Sequence, residues 1–150
     1  MGMRPKCKNT PVETLYDFGI NYFLDLTESG EMPPYALFLA NSIGRHTFLI
    51  PNGCVLNSVR WVVDLFRVIS GVLNKPETNL YIDCVGGVGR TGTIVACYYI
   101  YFMGMSVEDA LAETRRRFAT HGRSAWMSAP ETEAQVNFIR EFTNTYQQWK

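Results

Sequence analysis

The sequence carries no charge of one sign in excess. Its 14 basic side chains cancel 14 acidic ones, so no whole-protein field draws nucleic acid or an anionic membrane. Long apolar runs are missing too: none nears the ~18 residues of a membrane span, and Met1 to Lys6 lacks the apolar stretch of a signal peptide. Gly2 is not a myristoylation site, because Lys6 stands where that signal needs Ser or Thr. The chain is therefore expected to be soluble and cytoplasmic, with neither nucleic acid nor membrane among its partners. Cysteine is sparse: Cys7, Cys54, Cys84 and Cys97 stand far apart with no C-x-x-C pair, which argues against a zinc site or a disulfide framework. No repeat, low-complexity tract or Gly/Ser linker breaks the chain, so residues 1–150 are expected to form a single domain.

What is present is enough apolar side chain, 47% of 150 residues, for one core. Thr10 to Phe18 reads as a helix opened by Thr10 and Pro11, followed by Gly19 and a strand from Ile20 to Leu26. Turn residues fill Ser29 to Pro34, and His46 to Ile50 is a second strand ended by Pro51-Asn52-Gly53. From Ser58 to Leu73, Val59, Val62, Val63, Phe66, Ile69 and Val72 recur at helical spacing, and Asn74-Lys75-Pro76 ends that helix. Leu80 to Cys84 is a strand. Thr91 to Met103 is apolar all round, as a buried helix must be. Ser106, with Asp109 three residues on, caps a charged helix running to about Phe118. Ala129-Pro130-Glu131 is expected to open a last helix reaching about Gln148, with Val136, Ile139, Phe142 and Thr143 near one face. This order predicts an α/β domain: a mainly parallel central sheet of about four strands, helices on both faces, and binding sites at the carboxyl ends of the strands.

The turn after Cys84 sits at such an end. Cys84-Val85-Gly86-Gly87-Val88-Gly89-Arg90-Thr91-Gly92 places four glycines and an arginine between a strand and a buried helix. Glycines let successive N–H groups turn inward, and the helix that follows adds its partial positive charge, so the loop suits a phosphate-sized anion. Arg90 adds a fork that can hold two oxygens at once. The same surroundings favour the thiolate of Cys84, a nucleophile beneath a bound phosphate.

Three other readings compete. Gly87-x-Gly89-x-x-Gly92 matches a dinucleotide fingerprint, but that site needs a following strand ending in an acid about 20 residues on, and Glu108 and Asp109 fall in a helical start. A nucleoside-triphosphate loop would need glycine at Cys84 and lysine at Arg90. A plain connecting turn with Cys84 as a small buried hydrophobe leaves Arg90 without a role.

Cys84-x5-Arg90-Thr91 is the signature of the cysteine-dependent phosphatases, and the loop to Thr93 resembles their dual-specificity and small tyrosine-phosphatase branch. Leu24-Asp25-Leu26-Thr27-Glu28 with Glu31 and Tyr35, and Ser128 to Phe138, resemble an early strand and the closing helix of that family. The resemblance spans about residue 13 to residue 142, and Met1 to Lys8 leaves little room for the family's N-terminal strand. It implies hydrolysis of phosphate monoesters through a phosphocysteine on Cys84. The amides of Val85, Gly86, Gly87, Val88, Gly89 and Arg90 would hold the phosphate oxygens, Arg90 would clamp two of them, and Thr91 would stabilise the departing thiolate. Gln135 would position the attacking water, unless it is simply a polar helix residue. Phosphorylated protein or a small phosphate monoester is the expected partner, with phosphate, sulfate or vanadate as site ligands. Neither metal nor cofactor is expected, because arginine and amide dipoles supply the positive charge.

Two departures leave a catalytically impaired phosphate or phosphoprotein binder as the alternative. Asp83 replaces the family's His before the cysteine, and Asn52 falls where the general-acid aspartate belongs. An amide is no proton donor, and losing general acid catalysis costs ~10²–10⁴ in rate for poor leaving groups. Asp25, Asp64 and Glu31 are conceivable substitutes. Arg115, Arg116, Arg117 and Arg123 flank the pocket or form a solvated face. His46 and His121 read as structural or exposed, and Trp61, Trp126, Trp149, Tyr98, Tyr99 and Tyr101 as packing, with Trp126 near the pocket.

Overall fold

The computed structural model describes residues 2–3, 12–31, 39, 42–52, 58–119 and 128–150. Four parallel strands, β1 (Gly2–Met3), β2 (Tyr22–Asp25), β3 (Gly44–Thr47) and β4 (Leu80–Cys84), form one sheet in the order β1-β4-β2-β3. Period-two alternation assigns the strand side chains to opposite faces. Phe23 and Tyr81, paired in register across β2 and β4, pack on Val12 and Leu15 of α1 (Val12–Asp17). Leu24, Ile82 and Cys84 face the other way, into the main core.

That core is made by α2 (Val59–Leu73), α3 (Gly89–Met103), α4 (Val107–Ala119) and α5 (Glu133–Thr145). Ser58 caps α2 by accepting a hydrogen bond from the Trp61 amide at 3.2 Å, and the apolar stripe of α2 is buried as its spacing requires. Phe66 is fully buried against Tyr98, Tyr101 and Phe142, and burial of a phenylalanine contributes about 1.5–3 kcal/mol. The apolar helix α3 lies under the others, buried from Gly89 through Cys97, and ends at Gly104 in the left-handed conformation. No helix among the described residues is long and apolar enough to cross a membrane.

Several boundaries move. The last helix does not open at Ala129-Pro130-Glu131: it starts at Glu133 behind a capping box in which Thr132 and Gln135 satisfy each other's backbone amides, and its end runs into a 3₁₀ turn, Tyr146–Trp149. The second strand is Gly44–Thr47 rather than His46 to Ile50, since its pairing with Tyr22–Asp25 fixes the register. Gly44 is required there, because a Cβ would stand 2.2 Å from the Tyr22 ring. A strand does fit at the N-terminus: Gly2 and Met3 pair with Asp83 and Cys84. Thr10, Pro11, Cys7 and Cys54 lie outside the described residues.

Candidate active site

Strand β4 delivers Cys84 to the carboxyl edge of the sheet, and within five residues the chain re-enters a helix at Gly89. The turn closes that tightly because Gly87 takes a left-handed φ of +68°, open to glycine at no steric cost. The N-cap of α3 is Val88, which has no side-chain acceptor, so the first N–H groups of α3 are left for another acceptor. Cys84, Val85, Gly86, Val88, Gly89, Arg90, Asn52, Glu131 and Gln135 line a pocket of about 180 Å³ over this turn. All the loop residues expected from the sequence to bind phosphate, save Gly87, contribute to its wall.

The Cys84 sulfur is almost wholly buried and accepts a hydrogen bond from the Thr91 hydroxyl, Oγ1 to Sγ 3.0 Å. Arg90 is 4% exposed and held end-on by Glu31: Nη1 donates to Oε2 at 2.6 Å and Nη2 to Oε1 at 2.7 Å, while Nη1 also donates to the Ile50 carbonyl at 3.0 Å. These bonds occupy three of the five guanidinium N–H donors. The other two, on Nε and Nη2, share one edge of the planar group, the geometry of a fork for two oxygens, and the guanidinium also reaches the Cys84 sulfur as a hydrogen-bond donor. Burial works against the Arg90 charge, but the hydrogen bond to Glu31 and the fields of Cys84 and Glu31 outweigh it and hold the guanidinium above its ordinary pKa.

The carboxylates considered as substitute acids are engaged elsewhere. Glu31 grips Arg90. Asp25 is buried, bonded to Arg45 at 3.1 Å and to the Thr27 hydroxyl at 2.6 Å. Asp64 pairs with Arg67 on the exposed side of α2. Asn52 is on the pocket wall, its backbone N–H donating to Glu28 Oε2 at 3.2 Å. Asp83 is fully buried in register with Asp25, so alternation puts it on the α1 face, away from the Cys84 sulfur.

Gln135 is buried, and its carbonyl oxygen accepts the amides of Glu131 (2.9 Å) and Thr132 (3.2 Å). Its Nε2 thereby faces Gly89, where a Cβ would stand only 2.8 Å from it. Glu131 escaped the sequence reading, which placed it in the opening turn of a helix; the Thr132-x-x-Gln135 capping box was the signal that it precedes the helix. Arg116 and Arg117 lie on a different cleft, both bonded to Glu113, with Arg117 6.0 Å from the Tyr99 ring. His46 stacks on Phe48, and His121, Arg123 and Trp126 lie outside the described residues. Helix α3 leads into α4, with Glu108 and Asp109 in its first turn, so the acid-bearing strand of a dinucleotide site does not follow the loop.

Residues 1–141 match the family described as "PTP-SAK: Swiss Army Knife protein, DSP-PTPase phosphatase domain". The chain is 31% identical over 132 residues to "Putative tyrosine phosphatase 197R" of Invertebrate iridescent virus 6, a match covering 85% of this chain and 45% of that protein. It is 28% identical over 86 residues to protein tyrosine phosphatase domain-containing protein 1 of Bos taurus, covering 57% of this chain and 10% of that one. The chain thus spans under half the length of these relatives. Among solved structures, Tk-PTP in its active form superposes with a TM-score of 0.76 at 23% identity, covering 95% of this chain and 89% of that one. The human tyrosine phosphatase-like serine/threonine/tyrosine-interacting protein gives 0.72 at 18% identity, covering 93% and 86%. Loop, fold and family match agree, and the chain belongs to the dual-specificity (DSP-PTPase) phosphatase domains of the cysteine-dependent tyrosine phosphatase superfamily.

Proposed function

We propose that the protein hydrolyses phosphate monoesters, as a protein tyrosine or dual-specificity phosphatase, through a phosphocysteine intermediate on Cys84. The observation that carries this reading is the Thr91 hydroxyl bonded to the Cys84 sulfur at 3.0 Å, in the pocket that Arg90 also lines. A hydroxyl donating to sulfur stabilises a thiolate, both as nucleophile and as leaving group. The Cys84 sulfur attacks phosphorus, forming an S–P bond as the P–O bond to the leaving group breaks. The amides from Val85 to Arg90 and the Nε/Nη2 edge of Arg90 hold the equatorial oxygens, whose charge grows in the transition state. Water then attacks phosphorus, positioned by the Gln135 amide, and the S–P electron pair returns to the sulfur. A phosphorylated protein or a small phosphate monoester is the substrate.

Asn52 on the pocket wall favours a second reading, in which the cradle binds a phosphorylated partner without effective turnover. The deciding measurement is phosphate release from p-nitrophenyl phosphate between about pH 5 and 8, whose good leaving group hardly needs an acid. Turnover that vanishes in Cys84→Ser supports the phosphatase. Vanadate binding without turnover supports the binder, and loss of both refutes both readings.

A further inference from the structure

We propose that Glu131, on the segment that leads into α5, is the general acid and base of this site. The inference rests on the phosphocysteine reading above. Cleavage of an alkyl or aryl phosphate leaves negative charge on the departing oxygen, and a proton must reach it in the transition state. Asn52 has no such proton to give. Of the described residues lining the pocket, Glu131 is the only carboxylate.

Its placement is specific. Glu131 Oε2 lies 3.0 Å from where a Cβ on Gly89 would stand, over the loop's last residues and beside the Gln135 amide. Two contacts hold it there. The Gln135 carbonyl fixes the backbone amide of Glu131 at 2.9 Å. One turn along α3, Gly92 lets Ala129 and Pro130 dock on the helix, where a Cβ would stand 3.1 Å from the Ala129 Cβ. The residues preceding Glu131 are thus seated on the helix that carries Arg90 and Thr91. Glu131 itself is exposed and open to solvent, whereas Asp25 and Asp83 are buried.

The proton balance closes. In the first step Cys84 displaces the leaving group, whose oxygen takes the carboxyl proton of Glu131, giving phosphocysteine, a neutral alcohol and the Glu131 carboxylate. In the second, that carboxylate takes a proton from the water that the adjacent Gln135 amide aims at phosphorus, and the acid is restored as the thiolate leaves.

The test compares wild type with Glu131→Gln on p-nitrophenyl phosphate and on phenyl phosphate, whose leaving group is poor, across pH. The expected result is a fall of roughly 10²–10³ in kcat/KM on phenyl phosphate, a much smaller fall on p-nitrophenyl phosphate, and loss of the alkaline limb of the pH profile. Vanadate affinity and thermal melting should stay as in wild type. Asn52→Asp in the Glu131→Gln background should restore part of the phenyl phosphate rate, which a purely structural role for Glu131 would not allow. Glu28→Gln, on the neighbouring turn, should leave both rates unchanged. Retention of the phenyl phosphate rate in Glu131→Gln, or its loss in Glu28→Gln instead, overturns the assignment while Cys84-dependent turnover still stands. Turnover that survives Cys84→Ser overturns the phosphocysteine reading itself, and this inference with it.

Discussion

Replacing Glu31 by alanine should loosen Arg90 while touching none of the loop amides from Val85 to Arg90. Two charge-assisted bonds, 2.6 and 2.7 Å long, join Glu31 to an Arg90 guanidinium that is 4% exposed, and the Glu31 side chain is 15% exposed. Removing one partner of a buried pair costs about 3–5 kcal/mol because the other charge stays buried. The Ile50 carbonyl still holds Nη1, and Glu31 is not fully enclosed, so the lower end, about 3 kcal/mol, is expected. A second effect falls on function. Glu31 fixes which edge of the guanidinium is offered to the pocket, and losing about 1.5–3 kcal/mol of orientation weakens vanadate binding and kcat/KM by about 10- to 100-fold. Urea unfolding, vanadate inhibition and p-nitrophenyl phosphate kinetics read the three quantities separately. A Glu31→Ala protein within about 0.5 kcal/mol of wild type, which is the range of an ordinary surface substitution, would refute the argument if its vanadate affinity were also intact.

Four further outcomes are expected. Thr91→Ala should slow thiolate departure more than its formation, so p-nitrophenol appears as a burst of about one equivalent before a slower steady rate in stopped flow. Thr132→Ala removes the capping box of α5 and should cost about 1 kcal/mol in urea unfolding, with activity loss if Gln135 shifts. Burial pushes the Cys97 thiol far up, so the folded protein keeps a proton that the unfolded chain loses above about pH 8.5. This site's contribution is intact below that pH and falls by about 1.4 kcal/mol per unit above it, a slope Cys97→Ala should flatten in unfolding at pH 8, 9 and 10. EDTA should leave phosphate release unchanged, because Arg90 and the loop amides supply the positive charge; a falling rate would contradict that.

The position of the loop from Cys84 to Thr91 was legible because its parts are local. Cys84, Arg90 and Thr91 fall within eight residues, and a strand on one side with an apolar helix on the other leaves the chain a single way to place them. The Arg90–Glu31 pair, 59 residues apart, has no local signature, and Glu31 read in sequence as a conceivable substitute acid rather than as the partner of Arg90. At the last helix two start signals competed. Pro130 suggested the first helical position, but the reciprocal bonds of Thr132 and Gln135 satisfy two backbone donors and set the boundary there. The edge strand was misplaced toward Phe48 and Ile50 because their apolar side chains pack on the core after the strand has ended, Phe48 partly and Ile50 fully buried, while pairing with β2 fell on Gly44 to Thr47. A two-residue strand such as Gly2–Met3 is too short to show any alternation.

Asp83 shows how the fold limits what a departure from the family pattern can do. A carboxylate one residue before a nucleophilic cysteine looks damaging in sequence, since it opposes a nearby negative charge. On a strand, however, neighbours point to opposite faces, and the two faces here belong to different clusters: Phe23 and Tyr81 with α1 on one, Cys84 with α2 and α3 on the other. Asp83 can therefore influence the sulfur through its field but not by a hydrogen bond, while Thr91 touches the sulfur directly and Arg90 lines the same pocket. The Thr91 hydroxyl and the Arg90 guanidinium therefore act on the sulfur more directly than Asp83 does. What distinguishes rapid cleavage of poor leaving groups from mere binding then lies at the rim, in whether Glu131 does the work that Asn52 cannot.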